Sequence, residues 1–380
     1  MIIQMKIIIF SILFFLLLNT SFTQPIPPDS LYLGQTPPGN MPKIFHLPVA
    51  PGYFAAERIA ISSDGKEILY SETNGYSPAS KSRILSLKYT GNKWNGPAML
   101  FENIGCPAFS CSGKYLFANG MLSIKTDTGW SVPSWFMNRP HEFHYLQDTR
   151  SFTFYTAVKN VRSAVGKFDW SKIIIDHADT LIQSLGSPIN SIRNNMDFYI
   201  ARDESYIILV SDGLQISYRK KDGNWTNPKN LGSAINAFLG EWGPYVTDDN
   251  KFLFFTAGTK QDYSDTHVRW VHIDNLIDSL RHTNFAPWLK SPVPNQLESK
   301  GHSFSYTIPD STFIDDDGNN TLTYSAVLSD GHPLPSWLNF IPDTRTFSGT
   351  SLNSDSLNIK LTASDIVKAA ASCTFILRIN

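Results

Sequence analysis

Charged residues recur at one position of a hairpin that the chain repeats five times. When the hairpins are aligned by their turns, four of the five carry a carboxylate at or near the start of the first strand. If the repeats form a ring, these carboxylates surround one mouth of its central channel, where they would favour a cation or a basic peptide as ligand. The residues predicted to form this binding site are Glu57, Arg58, Glu142, Asp197, Glu241 and Trp242.

These carboxylates also have a structural interpretation. Each could accept hydrogen bonds from the backbone of a neighbouring repeat and hold the repeats together. The aromatic residues near the loops, Trp242, Trp135 and Phe136, could stack on sugars or peptides, or they could belong to the core. The sequence leaves these alternatives open.

Each hairpin has a strand, a polar turn and a second strand rich in Ile, Leu, Phe and Tyr. Repeats about 40–50 residues apart are the sequence signature of β-propeller blades. We predict an all-β, five-bladed propeller over residues 31–284, or six blades if one further repeat is unrecognised. Residues 32–47 are expected to supply the outer strand of the last blade and so close the ring. The predicted turns lie at Asp64, Ser112, Asp148, Asp203 and Asp249.

Two further motifs keep step with the hairpins. A Trp-x-x-Pro motif begins at Trp94, Trp130 and Trp225, while the loops LGSPIN and LGSAIN end at Asn190 and Asn236. Proline cannot donate a hydrogen bond to a strand ladder, so it marks the end of an outer strand. We expect the Trp residues to pack between neighbouring sheets. The Asn-ended loops should connect one blade to the next.

Three segments together resemble the WD-like propeller repeats of TolB-type periplasmic and surface proteins. They are DFYIARDESYIILVSD, DGNWTNPKNLGSAIN and EWGPYVTDDNKFLFFTA. A fourth, ISSDGKEILYSE, resembles the Ser-Pro-Asp-Gly-Lys signature of that family, with Ser63 where Pro is usual. The resemblance implies a propeller but no particular activity, because propellers host many functions.

The sequence contains no G-x-S-x-G motif, phosphate loop or dinucleotide fingerprint. We therefore assign no catalytic residue and predict a binding or scaffold protein that uses the propeller as its recognition face. The alternative is a lyase or glycosidase that acts on a surface polysaccharide. Propeller hydrolases often set two carboxylates across the central cavity, and the acidic residues at the channel mouth would serve that chemistry.

The C-terminal part of the chain is a second module. Prolines mark a linker at residues 285–292, and short alternating strands then indicate a β-sandwich. The segment DDDGNNTLTYSAVLSDGHPLPSWLNFIPDTRTFSGT resembles the dystroglycan-type cadherin-like (immunoglobulin-like) domain. We place this domain at residues 293–380 and expect it to act as a spacer or adhesion unit.

The cadherin-like resemblance implies calcium as a cofactor. Ca²⁺ takes six to eight oxygen ligands, which clustered carboxylates can supply. The alternative is that the acidic run only forms a hairpin turn. The residues that the resemblance implies as ligands are Asp315, Asp316, Asp317 and Asp365.

The N-terminus predicts export. Lys6 and a following apolar run indicate a signal peptide at residues 1–23, and that run is too short to span a bilayer comfortably. We therefore expect a periplasmic, surface or extracellular protein, without a transmembrane segment after cleavage. Its partner should be a protein or a glycan of that compartment.

Charge and cysteine content exclude two further properties. The net charge is −1, so the chain lacks the basic surplus that a protein needs to neutralise nucleic-acid phosphates. Cys106 and Cys111 flank a predicted strand about 16 Å long, whereas a disulfide needs Cα atoms within about 7 Å. We expect these two thiols to stay unpaired with each other.

Overall fold

The structure is a computed structural model that describes residues 25–159, 168–176, 179–190 and 195–380. The predicted signal peptide at residues 1–23 lies outside the described residues. The elements are strands with a few short helices, which confirms the all-β class. None of the helices in the described ranges has both the length and the apolar character needed to cross a bilayer.

The N-terminal part contains one short strand and five antiparallel sheets. The short strand is β1 (Lys43–Ile44), and the first sheet holds β2 (Phe54–Ile61), β3 (Glu67–Thr73), β4 (Ser82–Thr90) and β5 (Lys93–Glu102). The second sheet holds β6 (Pro107–Phe109), β7 (Tyr115–Ala118), β8 (Met121–Thr126), β9 (Gly129–Trp130) and β10 (Ser134–Trp135). The third holds β11 (Phe143–Asp148), β12 (Phe154–Lys159), β13 (Phe168–Asp176) and β14 (Asp179–Ser184). The fourth holds β15 (Phe198–Ile200), β16 (Tyr206–Ser211), β17 (Gly213–Tyr218) and β18 (Lys229–Asn230), and the fifth holds β19 (Gly240–Val246), β20 (Phe252–Gly258) and β21 (His267–His272).

The first strands of the five sheets lie next to one another. β2 contacts both β6 and β19, β6 contacts β11, β11 contacts β15, and β15 contacts β19. Each first strand therefore has two of the others as neighbours. The second strands are buried along most of their length, as in β3 and β20, because sheets cover them on both faces.

The turn between the first two strands has the same geometry in all five sheets. Its fourth residue has a left-handed backbone and donates its N–H to the carbonyl three residues earlier, over 2.8–3.0 Å. A left-handed residue here ends the turn and starts the return strand. The left-handed residues are Gly65, Gly113, Phe152, Glu204 and Asn250.

The turn of the third sheet lies three residues later than the sequence predicts. Its turn bond joins the Phe152 N–H to the Thr149 carbonyl, so Ser151 and not Asp148 occupies the position that Asp64 holds in the first turn. The corresponding position of the first strand therefore shifts from Glu142 to Tyr145. The predicted equivalence of Glu142 with the other strand starts is wrong, because Asp148 ends β11 instead of forming the turn.

The N-terminal segment completes the fifth sheet as predicted. Lys43 and Ile44 pair antiparallel with Trp270 and Arg269 of β21, so the sheet order is β1-β21-β20-β19. The next residue, Phe45, is buried and packs edge-on against Trp270, with ring centroids 5.2 Å apart. The earliest and the latest strands of this part thus share one sheet.

The two Asn-ended loops make the same pair of hydrogen bonds in neighbouring sheets. The side-chain oxygen of Asn190 accepts the Trp170 N–H over 2.8 Å, and its nitrogen donates to the Trp170 carbonyl over 2.9 Å. Asn236 makes the same pair of bonds with Leu214, over 2.8 and 3.0 Å. Each loop is thereby fixed to the third strand of its sheet before the chain enters the next sheet.

The tryptophans of the Trp-x-x-Pro motif have packing roles. Trp94 contacts the ring of Tyr89, and its indole N–H donates to the Ser30 carbonyl over 2.8 Å. Trp225 is buried beneath the Arg219 guanidinium, 5.1 Å from its ring centroid. Trp225 shares a buried cluster with Tyr155 and Trp170 of the third sheet, which confirms the predicted packing between sheets for this side chain. The contacts of Trp94 are with its own sheet and with the N-terminal segment.

The helix α1 (Asp274–Arg281) follows β21 and leads into the C-terminal domain. That domain holds nine strands in three small sheets. Its core includes Phe313, Phe347 and Ile359, all with no exposed surface. The strands are β22 (Trp288–Leu289), β23 (Gln296–Glu298), β24 (Phe304–Thr307), β25 (Phe313–Ile314), β26 (Thr323–Leu328), β27 (Leu338–Ile341), β28 (Thr346–Gly349), β29 (Asp355–Ser364) and β30 (Ala370–Ile379).

The first strand of the C-terminal domain lies inside the predicted linker at residues 285–292. Trp288 and Leu289 pair antiparallel with Ile314 and Phe313. The proline-rich stretch is therefore not free chain, because its centre already belongs to the sandwich.

Arg202 joins the turn ends of four of the five sheets. From the fourth sheet, its Nη2 donates to the Phe109 carbonyl of the second sheet over 2.9 Å. Its other nitrogens lie 3.4 Å from Asp148 Oδ1 of the third sheet and 3.5 Å from Asp248 Oδ1 of the fifth. One half-buried guanidinium thus contacts three other sheets.

Replacing Arg202 should destabilise the protein strongly. We expect Arg202→Met to lower the free energy of unfolding by about 3–5 kcal/mol, because Asp148 stays buried without its cationic partner. Arg150→Met is the matched control in the preceding turn, where the side chain is exposed, and should change stability by less than about 0.5 kcal/mol. Urea denaturation of the mature protein measures both, and equal losses would contradict the role given to Arg202.

Candidate functional site

A cavity of about 320 Å³ opens where the first strands of several sheets meet. Its walls combine two carboxylates, four aromatic rings and two apolar side chains. The lining residues are Glu57, Tyr76, Tyr145, Met196, Asp197, Val210, Trp242 and Tyr263. We refer to this cavity as the central pocket.

Backbone bulges set the direction of the side chains that enter the pocket. The pairing of β2 with β3, of β11 with β12 and of β19 with β20 each shifts register in the first strand. At these places Glu57, Tyr145 and Gly243 have left-handed backbones, with φ of 65°, 53° and 60°. A bulge bends the strand and re-aims a side chain, which explains how Glu57 and Tyr145 point away from the packed faces.

Gly243 permits the closest approach between two first strands. A Cβ atom at this position would lie 2.5 Å from the carbonyl carbon of Glu57 and 2.7 Å from the Arg58 nitrogen. Only glycine fits such an approach, and its φ of 60° also favours glycine. The position of Glu57 therefore depends on the absence of a side chain across the interface.

Tyr145 lies between the two carboxylates of the pocket. Its phenol donates to Glu57 Oε2 over 2.7 Å, and the Cys106 thiol lies 3.5 Å from the same oxygen. Asp197 Oδ2 accepts the Gly243 N–H over 2.9 Å. Burial and the nearby negative charges raise the pKa of Tyr145 well above its usual range, so the phenol keeps its proton and remains a donor.

Asp197 is almost fully buried, and this changes its acidity. Burial, followed by the negative charge of Glu57, raises the pKa of Asp197 to about 7. The hydrogen bonds from Tyr145 and Gly243 and the charge of Arg58 act in the opposite direction but do not cancel the shift. Asp197 therefore gains or loses its proton near neutral pH.

Arg58 supplies a buried positive charge beside the pocket. Its Nη2 donates to the Phe198 carbonyl, and its guanidinium lies over the rings of Tyr145 and Phe198, 5.3 and 5.6 Å from their centroids. Its Nε and Nη1 have no hydrogen-bond partner within the described protein atoms. Burial lowers the pKa of Arg58, although arginine keeps its charge in proteins.

Three aromatic residues form the outer part of the pocket, and we refer to Tyr76, Trp242 and Tyr263 as the aromatic rim. The Tyr76 and Tyr263 rings meet edge to face at 4.8 Å, and Trp242 meets Tyr263 in the same way at 6.3 Å. The Trp242 indole N–H donates to the Tyr76 hydroxyl over 3.1 Å. Phe54 stacks on Tyr263 from the side, so the rim belongs to a larger aromatic cluster.

The structure brings together some of the predicted site residues and separates others. Glu57, Asp197 and Trp242 line the central pocket, and Arg58 lies next to them. Glu142 pairs with Arg139 over 2.9 Å instead, in a half-exposed position. Glu241 accepts the backbone N–H of Phe238 over 2.9 Å and lies outside the pocket lining.

The other aromatic candidates are also outside the pocket. Trp135 packs against the ring of His141, with centroids 4.4 Å apart. Phe136 is buried in a core cluster with Phe117 and Phe143. The structure supports the core interpretation for Phe136, whereas Trp135 is half-buried and lies against an exposed histidine.

Sequence reasoning missed five residues of the pocket lining, namely the apolar Met196 and Val210 and three tyrosines. Tyr145 was missed because the turn of the third sheet lies three residues later than predicted. Tyr76 and Tyr263 lie in polar loops between the second and third strands of their sheets. The available signal was an isolated aromatic residue in a Ser- and Asp-rich loop, where a buried role is unexpected.

The acidic residues predicted to hold calcium lie where the C-terminal domain meets the fourth sheet. Asp316 accepts hydrogen bonds from the Lys220 ammonium over 3.0 Å and from the Asn227 N–H over 2.5 Å. Asp317 accepts the Phe285 N–H over 2.5 Å. These carboxylates connect the two parts of the chain.

The remaining two predicted ligands are buried in the same region. Asp365 accepts the Asn284 side-chain N–H over 2.8 Å and two backbone N–H groups of its own loop. Asp315 Oδ2 is buried without a partner, and burial raises the pKa of Asp315. Among the residues that the structure describes, no group of three or more His, Cys, Asp or Glu side chains is placed to hold a metal ion. Calcium binding stays a prediction.

Comparison with known families identifies the C-terminal domain. A family model described as "Putative Ig domain" matches residues 286–380. This match confirms the predicted immunoglobulin-like domain, and it begins within the predicted linker. We found no curated protein that matches the chain.

Several solved structures are similar to the chain at low identity. TolB from Acinetobacter baumannii is 12% identical with a TM-score of 0.33, and the match covers 56% of this chain and 56% of TolB. The extracellular domain of a putative hybrid two-component system from B. thetaiotaomicron is 11% identical with a TM-score of 0.32, and the match covers 80% of this chain and 44% of that structure. Sqt1 from Chaetomium thermophilum is 12% identical with a TM-score of 0.31, and the match covers 59% of this chain and 61% of Sqt1. The chain spans less than two thirds of each of these structures.

A side chain at Gly243 should disturb both folding and the pocket. We expect Gly243→Ala to lower the free energy of unfolding by more than about 1 kcal/mol, because the new methyl group meets the Glu57 backbone and the backbone is left-handed. Gly39→Ala is the control, since nothing lies within 4 Å of its Cβ position. Thermal and urea unfolding of both variants checks the difference, and a neutral Gly243→Ala would contradict the close approach.

The calcium prediction has a direct test in the mature protein. If the acidic loop binds Ca²⁺, millimolar CaCl₂ should raise the Tm, while MgCl₂ should have less effect because Mg²⁺ demands stricter geometry. The Asp315→Asn variant should lose the shift, because its carboxylate has the unpartnered oxygen. An unchanged Tm in the wild-type protein would show that these carboxylates do not bind the ion.

Proposed function

We propose that the chain is an exported, non-catalytic binding protein that recognises its ligand at the central pocket. The observation that carries this proposal is the convergence of two carboxylates and the aromatic rim on one cavity of about 320 Å³. Burying carboxylates costs folding free energy, and a strongly shifted pKa in a cleft is typical of a functional site. Asp197 combines both features.

In this proposal the five sheets are the blades of a five-bladed, TolB-type β-propeller. The two-neighbour arrangement of the first strands supports it, and so does the pairing of β1 with β21 in the last sheet. The central pocket would then be the mouth of the channel between the blades. Inner strand ends are a common place for propeller ligands, which agrees with the pocket position.

The immunoglobulin-like domain would be a spacer or adhesion unit held in a fixed orientation. Asp316, Asp317 and Asp365 accept hydrogen bonds from the fourth sheet or from the segment that leads into the domain. Lys229 adds to this junction, because its ammonium donates to the Leu280 and Thr283 carbonyls and lies over the Phe285 ring. A partner held at the pocket would therefore keep a defined position relative to this domain.

The predicted signal peptide supports a role outside the cytoplasm. We infer a protein or glycan partner in the periplasm, on the outer surface or in the extracellular space. The near-neutral net charge agrees with a partner other than nucleic acid.

A second candidate function is glycoside hydrolysis or a lyase reaction on a surface polysaccharide. The observation that favours it is the pair formed by Asp197 and Glu57, since a carboxylic acid with a pKa of about 7 can donate a proton at neutral pH. Binding is preferred because Tyr145, Cys106 and the Gly243 N–H already occupy oxygens of this pair. These bonds also give both carboxylates a structural role.

The binding proposal predicts that one class of ligand depends on the aromatic rim. Titration calorimetry of the mature protein against surface-glycan fragments and basic peptides should find a class that binds. Trp242→Leu should weaken that binding about tenfold or more, because a sugar ring or a cation loses the indole face against which it would pack. Trp135→Leu is the matched control, since this tryptophan packs on His141 outside the pocket.

The same panel separates the two candidate functions. Product release from any glycan, measured as new reducing ends or unsaturated sugars and lost in Asp197→Asn, would establish the enzymatic alternative. Equal weakening by Trp242→Leu and Trp135→Leu would place the binding surface elsewhere.

A further inference from the structure

The chemistry of the central pocket narrows the class of ligand. Among the described residues that line it, two are carboxylates and none is Lys, Arg or His. The nearby guanidinium of Arg58 is fully buried and already contacts the Phe198 carbonyl and two rings. A ligand that enters the pocket therefore meets two carboxylates, whose negative charge the buried guanidinium of Arg58 offsets only in part.

The aromatic rim complements this charge. Three rings line the same cavity at mutual distances of 4.8–6.3 Å, in edge-to-face pairs. The face of an aromatic ring attracts a cation within about 6 Å of its centroid, so an alkylated ammonium group in the cavity can lie against the rings that line it. Sugars also stack on such rings, but a neutral sugar would leave the carboxylates unneutralised.

The size and the apolar part of the wall fit a small organic cation better than a metal ion. The cavity of about 320 Å³ has room for about ten water molecules, which a compact ligand of similar size would displace. Met196 and Val210 add apolar surface beside the carboxylates. A metal ion would need several oxygen ligands at short range, whereas Tyr145 and Cys106 contact one oxygen of Glu57 and the Gly243 N–H takes one oxygen of Asp197.

We propose that the ligand of the central pocket presents an alkylammonium group, which contacts the two carboxylates and lies against the aromatic rim. This inference rests on the proposed function. The group could belong to a free small amine or to a lysine side chain of a basic peptide. Both sources offer the same chemistry to the pocket.

The binding should depend on pH through Asp197. The groups that face this carboxyl from the surrounding strands are Glu57, Arg58, Cys106, Tyr145 and the Gly243 N–H. Because the pKa of Asp197 is raised to about 7, the ionised fraction grows as the pH rises from 6 to 8. A permanently charged ligand should bind more tightly over this range, by up to about tenfold.

Calorimetric titration of the mature protein with choline chloride and its neutral isostere, 3,3-dimethyl-1-butanol, tests the inference. We expect choline to bind at least about tenfold more tightly than the alcohol, and to bind better at pH 8 than at pH 6. Glu57→Gln and Trp242→Leu should each weaken choline binding about tenfold. The matched controls Glu142→Gln and Trp135→Leu should not, because both residues lie outside the pocket.

A third probe distinguishes the two sources of the ammonium group. A short peptide with one central lysine that binds more tightly than choline would assign the ligand to a basic chain, while the reverse order would assign it to a free amine. Circular dichroism verifies that each variant is folded. If Glu57→Gln does not fold, Trp242→Leu still decides, because the rim lies at the open side of the pocket.

The possible failures are distinguishable. If the neutral alcohol or a glycan fragment binds as tightly as choline, and this binding is lost in Trp242→Leu, the ammonium inference is overturned while the proposed function stands. If no amine, peptide or glycan probe binds in a manner that depends on Trp242, both the inference and the proposed function are overturned.

Discussion

The guanidinium of Arg202 is the contact on which the arrangement of four of the five sheets depends. It donates to the Phe109 carbonyl and pairs with Asp148 and Asp248, so it fixes three sheets to its own. Buried ion pairs seldom add much net stability, because desolvation offsets their attraction, but they require one geometry. Here that geometry sets the spacing of the first strands at their turn ends.

Among the residues described, the opposite ends of the same strands are not joined by charge pairs of this kind but border the central pocket. The chain advances about 3.3 Å per residue along a strand, so Arg202 and Asp197 lie about 16 Å apart on either side of β15. At the Asp197 end, the first strands contain backbone bulges and Gly243, and the central pocket lies between them. Charge pairs thus join the sheets at their turn ends, and the central pocket lies at the opposite ends of the first strands.

The pocket combines structural and chemical roles in the same groups. The bond from Tyr145 to Glu57 and the bond from the Gly243 N–H to Asp197 both cross between sheets. Only the second is the backbone bond from a neighbouring sheet that the structural interpretation predicts, because Tyr145 donates through its side chain. Burial and the nearby charge of Glu57 together raise the pKa of Asp197. In the acidic loop of the immunoglobulin-like domain, Asp316 likewise has a structural role, because it accepts a hydrogen bond from Lys220 near the fourth sheet.

The sequence by itself determined the elements and their order. Strand alternation, turn residues and the repeated loops depend on local backbone chemistry, so the Asn190 and Asn236 loops, the β1–β21 pairing and the immunoglobulin-like domain were predictable. Only the tertiary structure decided which side chains meet. Glu57 and Tyr145 are 88 residues apart, and a turn displaced by three residues moves a tyrosine instead of a glutamate into the pocket. Periodicity reports which face a residue occupies along its own strand, whereas a pocket is made by contacts between strands whose register no local pattern encodes.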